Sequence, residues 1–309
     1  MKRALVLGAS GGMGYAIVKE LSSRNIHVVA FARNLERLHK MFGGDEFVEV
    51  RSGDVFQKKD VYEAAQHVDV IFHAINLPYH EWSEKLLHMN EQILNVAKET
   101  SAKLAIVENI YSYGRGNGEK IREGYPKAPH TKKGKIRLEV EQLVKNSEVP
   151  FLIAHFPDFY GPYAENTYMN YTLRQLVTKK RASFVGNQQI KREYIYTPDG
   201  AKAIVELSMR EDAYFQSWNI PGYDLISGEE INDLVDEIVG TKKSFITVTK
   251  AMLWFIGLFQ KQMKEALEMY YLNEDPVVLD GNKYETIIGE LPKTSYRRGI
   301  EETLNSYQH

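Results

Sequence analysis

The sequence predicts an α/β protein, a Rossmann-type doubly wound parallel sheet joined to a smaller, mostly helical lobe. Two observations carry this. Short apolar segments alternate with stretches of helical periodicity through the first half of the chain. The first apolar segment, Ala4-Leu5-Val6-Leu7, runs into a glycine-rich turn, Gly8-Ala9-Ser10-Gly11-Gly12-Met13-Gly14, that opens a helix. A length of 309 residues suits one large domain and a second lobe.

The elements follow in order. Residues 14–23 place Ile17, Val18 and Leu21 on one helical face, and residues 26–31 read as a strand. Asn34 caps a helix running to Met41, and residues 47–50 form a third strand. A helix over 60–67, a strand over 68–72, a long helix over 86–100 and a strand over 104–107 come next. Residues 112–131 read as a long surface loop, 136–145 as a helix and 151–154 as a sixth strand. Then come a helix over 169–180, a strand near 194–196, a helix over 199–209 and a mostly helical C-terminal part. The expected division is a dinucleotide domain of residues 1–165 plus 183–222 and a substrate lobe of 166–182 plus 223–309. Strands joined by helical crossovers make a parallel sheet, whose ligands bind at the strands' carboxyl ends.

Composition removes several classes. Lys and Arg total 39 against 41 Asp and Glu, so no basic excess speaks for nucleic acid. The absence of cysteine excludes disulfides and thiolate chemistry, and suits a cytoplasmic protein. The longest apolar run, residues 251–259, is too short to span a bilayer, which needs about 20 residues. It reads as a buried helix or a lid over an apolar pocket, with an interfacial membrane helix as the alternative; no membrane partner is expected. His73 and His80 lack a carboxylate at ligand spacing, so no metal is expected. No Gly-x-Ser-x-Gly elbow and no Gly-Lys-Ser/Thr loop is present.

The glycines carry the binding argument. Gly8 permits the tight turn, Gly11 lets backbone approach a pyrophosphate, and Gly14 lets the helix pack close, its N-terminus facing the phosphates. Ser10, Gly12 and Met13 complete the loop. At the end of the second strand Arg33 stands where an NAD site has an acid. A guanidinium there grips a 2′-phosphate, with Arg37 one turn on, which favours NADP over NAD.

The Gly-x-x-Gly-x-x-Gly spacing resembles that of the short-chain dehydrogenase/reductases, in their extended (atypical) branch of NAD-dependent epimerases and dehydratases. Further segments extend the resemblance over nearly the whole chain. Gly53-Asp54-Val55 looks like the stretch that holds the adenine, and Phe72-His73-Ala74-Ile75-Asn76 like the one beneath the ribose. Asn90, Phe159-Tyr160-Gly161-Pro162, Tyr196-Thr197-Pro198-Asp199 and Trp218-Asn219-Ile220-Pro221-Gly222 match later family positions. The resemblance implies cofactor contacts at Asp54, Val55, Ala74, Ile75 and Phe156.

The catalytic pattern departs from the family's Ser/Thr, Tyr and Lys. Register places Lys135 at the lysine, which holds the nicotinamide ribose, and Thr131 at the tyrosine. Tyr113-Gly114 matches the family's Tyr-Gly, which puts Asn109 at the Ser/Thr. Asp158 stands where many members have a substrate-binding Asn, and His155 replaces the usual Arg. A threonine hydroxyl is far too weak an acid to replace a phenol. Three outcomes stay open. Tyr111, or less directly His130 or Tyr125, takes the acid/base role; or Thr131 and Asn109 orient substrate while water relays the proton; or the site binds dinucleotide without turnover. Lys132, Lys133 and Arg137 read as a solvated helix start. Trp254, Phe255, Phe259, Met263, Met269, Tyr270 and Tyr271 read as core, or else as the wall of a pocket for a bulky substrate.

The expected function is that of an NAD(P)-dependent oxidoreductase or epimerase/dehydratase-like protein with a non-standard triad, exchanging hydride with a carbonyl or alcohol carbon of a small molecule bound at Asp158 and Tyr113. Family habit suggests a nucleotide sugar. A non-catalytic NADP sensor is the alternative, and a homodimer is allowed.

Overall fold

The computed structural model describes residues 1–308 except 180, 243, 260–263 and 266. Seven strands form a central sheet: β1 (Arg3–Leu7), β2 (His27–Ala32), β3 (Val48–Ser52), β4 (Val70–His73), β5 (Lys103–Asn109), β7 (Phe151–Phe156) and β11 (Gln216–Asn219). Their order is β3-β2-β1-β4-β5-β7-β11, and every pairing is parallel. The short strand β6 (Lys120–Ile121) lies in the long loop after β5.

Alternation along each strand feeds two cores. Ala4 and Val6 of β1 point to one face and Leu5 and Leu7 to the other, all fully buried. The first face is covered by α1 (Gly12–Ser23), α2 (Leu35–Phe42) and α7 (Thr197–Ser208), through Ile17, Leu21, Leu38 and Ile204. The second is covered by α3 (Lys58–Ala64), α4 (Trp82–Thr100) and α5 (Lys132–Lys145), through Val61, Leu86, Ile93 and Val140. As read from the sequence, Asn34 caps α2, its side chain accepting from the Arg37 amide at 2.9 Å.

A third core lies beyond the sheet. It joins Leu173 of α6 (Tyr168–Thr178), Val235 of α8 (Gly228–Val239) and Ile300 of the helix Tyr296–Asn305 around Tyr160. Ser227 starts α8 with a complete capping box to Glu230. Two small sheets accompany this core. One has the order β12 (Leu225–Ile226), β10 (Arg192–Tyr196), β8 (Asp158–Tyr160); the other pairs β9 (Arg181–Val185) with β13 (Ser244–Val248).

Several expectations are corrected. The long helix begins at Trp82, four residues early, because the indole is buried and donates to the Leu77 carbonyl at 2.7 Å. The C-terminal part contains the strands β12, β13 and β14 (Val278–Leu279) as well as helices. The apolar run is not a buried helix. In α9 (Lys250–Gly257) only Leu253 and Gly257 are buried, while Trp254, Phe255 and, beyond the helix, Phe259 are exposed. The core reading therefore fails for those three aromatics. Met269, Tyr270 and Tyr271 are buried, and Met263 and Lys180 lie outside the described residues. Among the described residues no helix is long and apolar enough to cross a membrane.

One buried carboxyl yields a pH prediction. Glu193 of β10 accepts the Leu279 amide at 3.1 Å, and burial pushes its pKa up to about 7. Its folded value exceeds its unfolded one. Its favourable contribution is therefore full below the unfolded pKa near 4.3 and is lost as pH rises through about 7. Glu193→Gln removes this loss, so its stability relative to wild type should rise by up to about 3 kcal/mol between pH 5 and 8. Melting temperatures of both proteins across that range check it; a constant difference would contradict it.

Candidate functional site

The site starts at the turn after β1. Gly8 holds φ at +83°, and its amide and that of Ala9 donate to the Phe31 carbonyl at 3.0 and 3.1 Å. A Cβ at Gly14 would stand 2.1 Å from the Gly8 carbonyl oxygen, and one at Gly12 would stand 2.6 Å from Ala164. Both positions demand glycine because backbone meets backbone there. Gly11 is the N-cap of α1, is exposed and brings no capping side chain. The positive end of α1 thus opens at a bare backbone cradle, which fits a pyrophosphate. Met13 turns its side chain into the core, so only its backbone faces the cradle.

Along the same edge, Ala74 donates its amide to Leu7 at 3.0 Å, and Ala74 and Ile75 border Gly8. Asp54 lies half-buried after β3, with one carboxylate oxygen taken by the Phe56 amide at 3.0 Å; Val55 is buried beside it. Arg33 is exposed at the end of β2, and Arg37 pairs with Glu165 at 3.4 Å. The Phe156 ring is fully buried in the α1–α7 core, so no ligand reaches it.

The carboxyl end of β5 leads to a knot of tyrosines. Tyr111 and Tyr79 join hydroxyls at 2.6 Å, and the Trp82 indole stacks on Tyr111. Burial, followed by the neighbouring Tyr79, pushes the Tyr111 phenol well above its ordinary pKa. Asn109 accepts the Tyr111 amide at 2.9 Å and shapes this turn. Tyr113 is turned away, its buried hydroxyl donating to Asn219 at 2.7 Å.

Helix α5 does not present the residues that register suggested. Thr131 is its N-cap, accepting from the Gly134 amide at 3.0 Å. Lys135 shares the exposed face with Glu139 and Gln142. Lys133 and Arg137, read as solvated, are buried on the other face, in phase with Val140 and Val144. Lys133 is gripped by Glu265 and Glu268, each at 2.6 Å. Arg137 donates to Asn76 at 2.8 Å, pairs with Glu108 at 3.4 Å and lies over the Trp82 ring. Asn76 ends the segment that register places beneath the ribose. The apolar spacing Ile136, Val140, Val144 fixes the inner face of α5 and was the signal that singles out residues 133 and 137.

Asp158 and Arg192 form an ion pair between the neighbouring strands β8 and β10, and Arg192 also donates to Asn273. Burial raises the phenol pKa of Tyr79, Tyr111, Tyr168 and Tyr271, and the Asp158 charge adds a smaller push to each. His155 sits deeper, fully buried, 2.9 Å from the Lys127 ammonium and 3.4 Å from Glu141. Burial and then Lys127 lower its pKa to about 4, so it is neutral and structural. His130 packs edge-on against Tyr271.

Residues 8–193, more than half of the chain, match the model of the NAD(P)H-binding family. A relative, the uncharacterised UDP-glucose epimerase YtcB of Bacillus subtilis strain 168, is 23% identical over 265 residues, covering 78% of this chain and 83% of its own. The dTDP-glucose 4,6-dehydratase of Bacillus anthracis strain Ames, solved with NAD, superposes with a TM-score of 0.81 at 16% identity, over 100% of this chain and 97% of that one. The UDP-glucuronic acid 4-epimerase of Bacillus cereus, solved with UDP-glucuronic acid and NAD, gives 0.80 at 18% identity over 99% of both chains. The glycine cradle, the parallel sheet around it and the match over residues 8–193 together place the chain in the NAD(P)H-binding family.

Proposed function

We propose that the protein is an NAD(P)-dependent oxidoreductase that exchanges hydride with a carbonyl or alcohol carbon, using a proton donor other than the family's tyrosine. The observation that carries this is the Tyr111–Tyr79 hydroxyl pair at the carboxyl end of β5, beside the segment that leads from the cradle to Asn76. A bound dihydronicotinamide supplies the hydride. Arg137, which holds Asn76, takes the ribose role that register had given to Lys135. Tyr111 keeps its proton at neutral pH and donates it to the substrate oxygen, which becomes a strongly basic alkoxide as hydride arrives at carbon. Tyr79, hydrogen-bonded to Tyr111 and partly exposed, then passes its proton to the Tyr111 oxygen and takes one from solvent, which restores both phenols.

Asn109 and Thr131 act by position, one fixing the Tyr111 turn and the other capping α5. Asp158 faces the same tyrosines and borders the substrate. The substrate lobe is built from residues 166–182 and 223–309, and the reaction takes place in the cytoplasm. The relatives' names carry sugars as substrates; what this chain shares with them on this reading is chemistry at a hydroxyl-bearing carbon.

Arg33 favours NADP through a 2′-phosphate. Arg33→Asp should weaken NADP binding at least about tenfold and leave NAD unchanged or tighter, as read by calorimetry. Equal losses for the two cofactors would contradict that role. The reaction itself is tested by incubating the protein with 4-deuterated NADPH and a panel of aldehydes and ketones. Deuterium in an alcohol product is expected. Tight NADPH binding with no transfer across the panel would overturn the enzyme reading.

A further inference from the structure

The buried cations beside the proposed substrate site are already neutralised by the protein itself. Arg192, only 8% exposed, has its guanidinium divided between the Asp158 carboxylate and the Asn273 carbonyl. Lys133, 2% exposed, is held by two carboxylates, Glu265 and Glu268, on the segment that follows α9. Arg137, 5% exposed, is paired with Glu108. Three buried cations thus face four carboxylates.

A nucleoside diphosphate brings two or more negative charges and needs donors able to turn to its phosphates. Here each such donor would have to abandon its carboxylate, leaving Glu108 buried and unpaired, or Asp158 or Glu268 half-buried and unpaired, close to the incoming phosphates. Like charges so placed oppose binding. Asp158 is decisive, because the family resemblance puts an uncharged Asn at this position. The amide would leave the Arg192 charge uncancelled, whereas the carboxylate cancels it. An uncharged substrate meets no such conflict. The Tyr79 and Tyr111 hydroxyls offer it hydrogen bonds, and their rings apolar contact, without disturbing an ion pair.

We propose that the substrate is an uncharged, hydroxyl- or carbonyl-bearing organic molecule rather than a nucleoside-diphosphate sugar, and that the Asp158–Arg192 pair excludes the diphosphate. This rests on the hydride-exchange reading and names its substrate class.

The test uses the full chain saturated with NADPH, titrated with UDP and with UDP-glucose by calorimetry. Wild type should show no saturable binding of either at millimolar concentration. Asp158→Asn frees the guanidinium while keeping the side chain's shape, and should bind UDP at least about tenfold tighter than wild type. In the deuteride assay, label should enter uncharged ketones or aldehydes. Micromolar binding of UDP by wild type, or label entering only phosphorylated or carboxylated substrates, would overturn the proposal. So would a folded Asp158→Asn protein whose UDP affinity is unchanged. Should that variant not fold, the wild-type titration and the label distribution decide. NADPH binding is read in the same samples, so a failure of the dinucleotide reading appears separately as a lost NADPH isotherm.

Discussion

Gly14→Ala is expected to abolish NAD(P)H binding and to destabilise the fold by about 3 kcal/mol. The added methyl would sit 2.1 Å from the Gly8 carbonyl oxygen and 2.7 Å from its carbon. Neither group can yield, because Gly8 is fixed by its own hydrogen bond to Phe31 and by Ala74 on its other side. Helix α1 would have to lift from the turn, carrying its positive end away from the phosphates. Gly44→Ala is the control, since nothing lies within 4 Å of the Cβ it would add. Denaturant melts and NADPH calorimetry on the two variants measure the effect. Wild-type affinity in Gly14→Ala would remove the cradle from the mechanism.

The second large effect is expected at Tyr111. Tyr111→Phe should lower the rate of hydride transfer by at least about 100-fold, with NADPH affinity unchanged. The ring and its stacking on Trp82 survive; only the hydroxyl shared with Tyr79 is lost. The loss should therefore appear in kcat and not in KM. Tyr79→Phe removes the return path and not the donor, so its effect should be smaller, about tenfold. Single-turnover rates with saturating NADPH check both. A Tyr111→Phe protein turning over at the wild-type rate would pass the proton role to another group.

The cradle was legible because its requirements are local. A strand, a glycine at positive φ and a helix start occupy consecutive residues, and the matching glycines at 8, 11 and 14 need no tertiary information. The alternation of buried strands and amphipathic helices gave the doubly wound sheet for the same reason. The catalytic end was legible only in part. Counting from a family pattern put Thr131 and Lys135 in the site, but a count carries no phase. The helix turns by its apolar stripe, and Ile136, Val140 and Val144 bring Lys133 and Arg137 inward instead. Their burial also depends on carboxylates far away in sequence, Glu265 and Glu268 for one and Glu108 for the other. Such partners have no short-range signature, so two charged residues looked solvated. The exposed aromatics of α9 illustrate the converse. Nine apolar residues suggested burial, yet only Leu253 and Gly257 find a packing surface. Asp158 was noticed as a departure from the family, but its pairing with Arg192 required β8 and β10 to lie side by side.

The most direct measurement is a crystal structure of the protein with NADPH. The pyrophosphate is expected over Gly11 and Gly12 at the start of α1, the ribose beside Arg137, and the Tyr111 hydroxyl nearest to the carbon that delivers hydride. Density for the dinucleotide away from the glycine cradle, or a nicotinamide facing Lys135 and Thr131 with Tyr111 out of reach, would contradict the account.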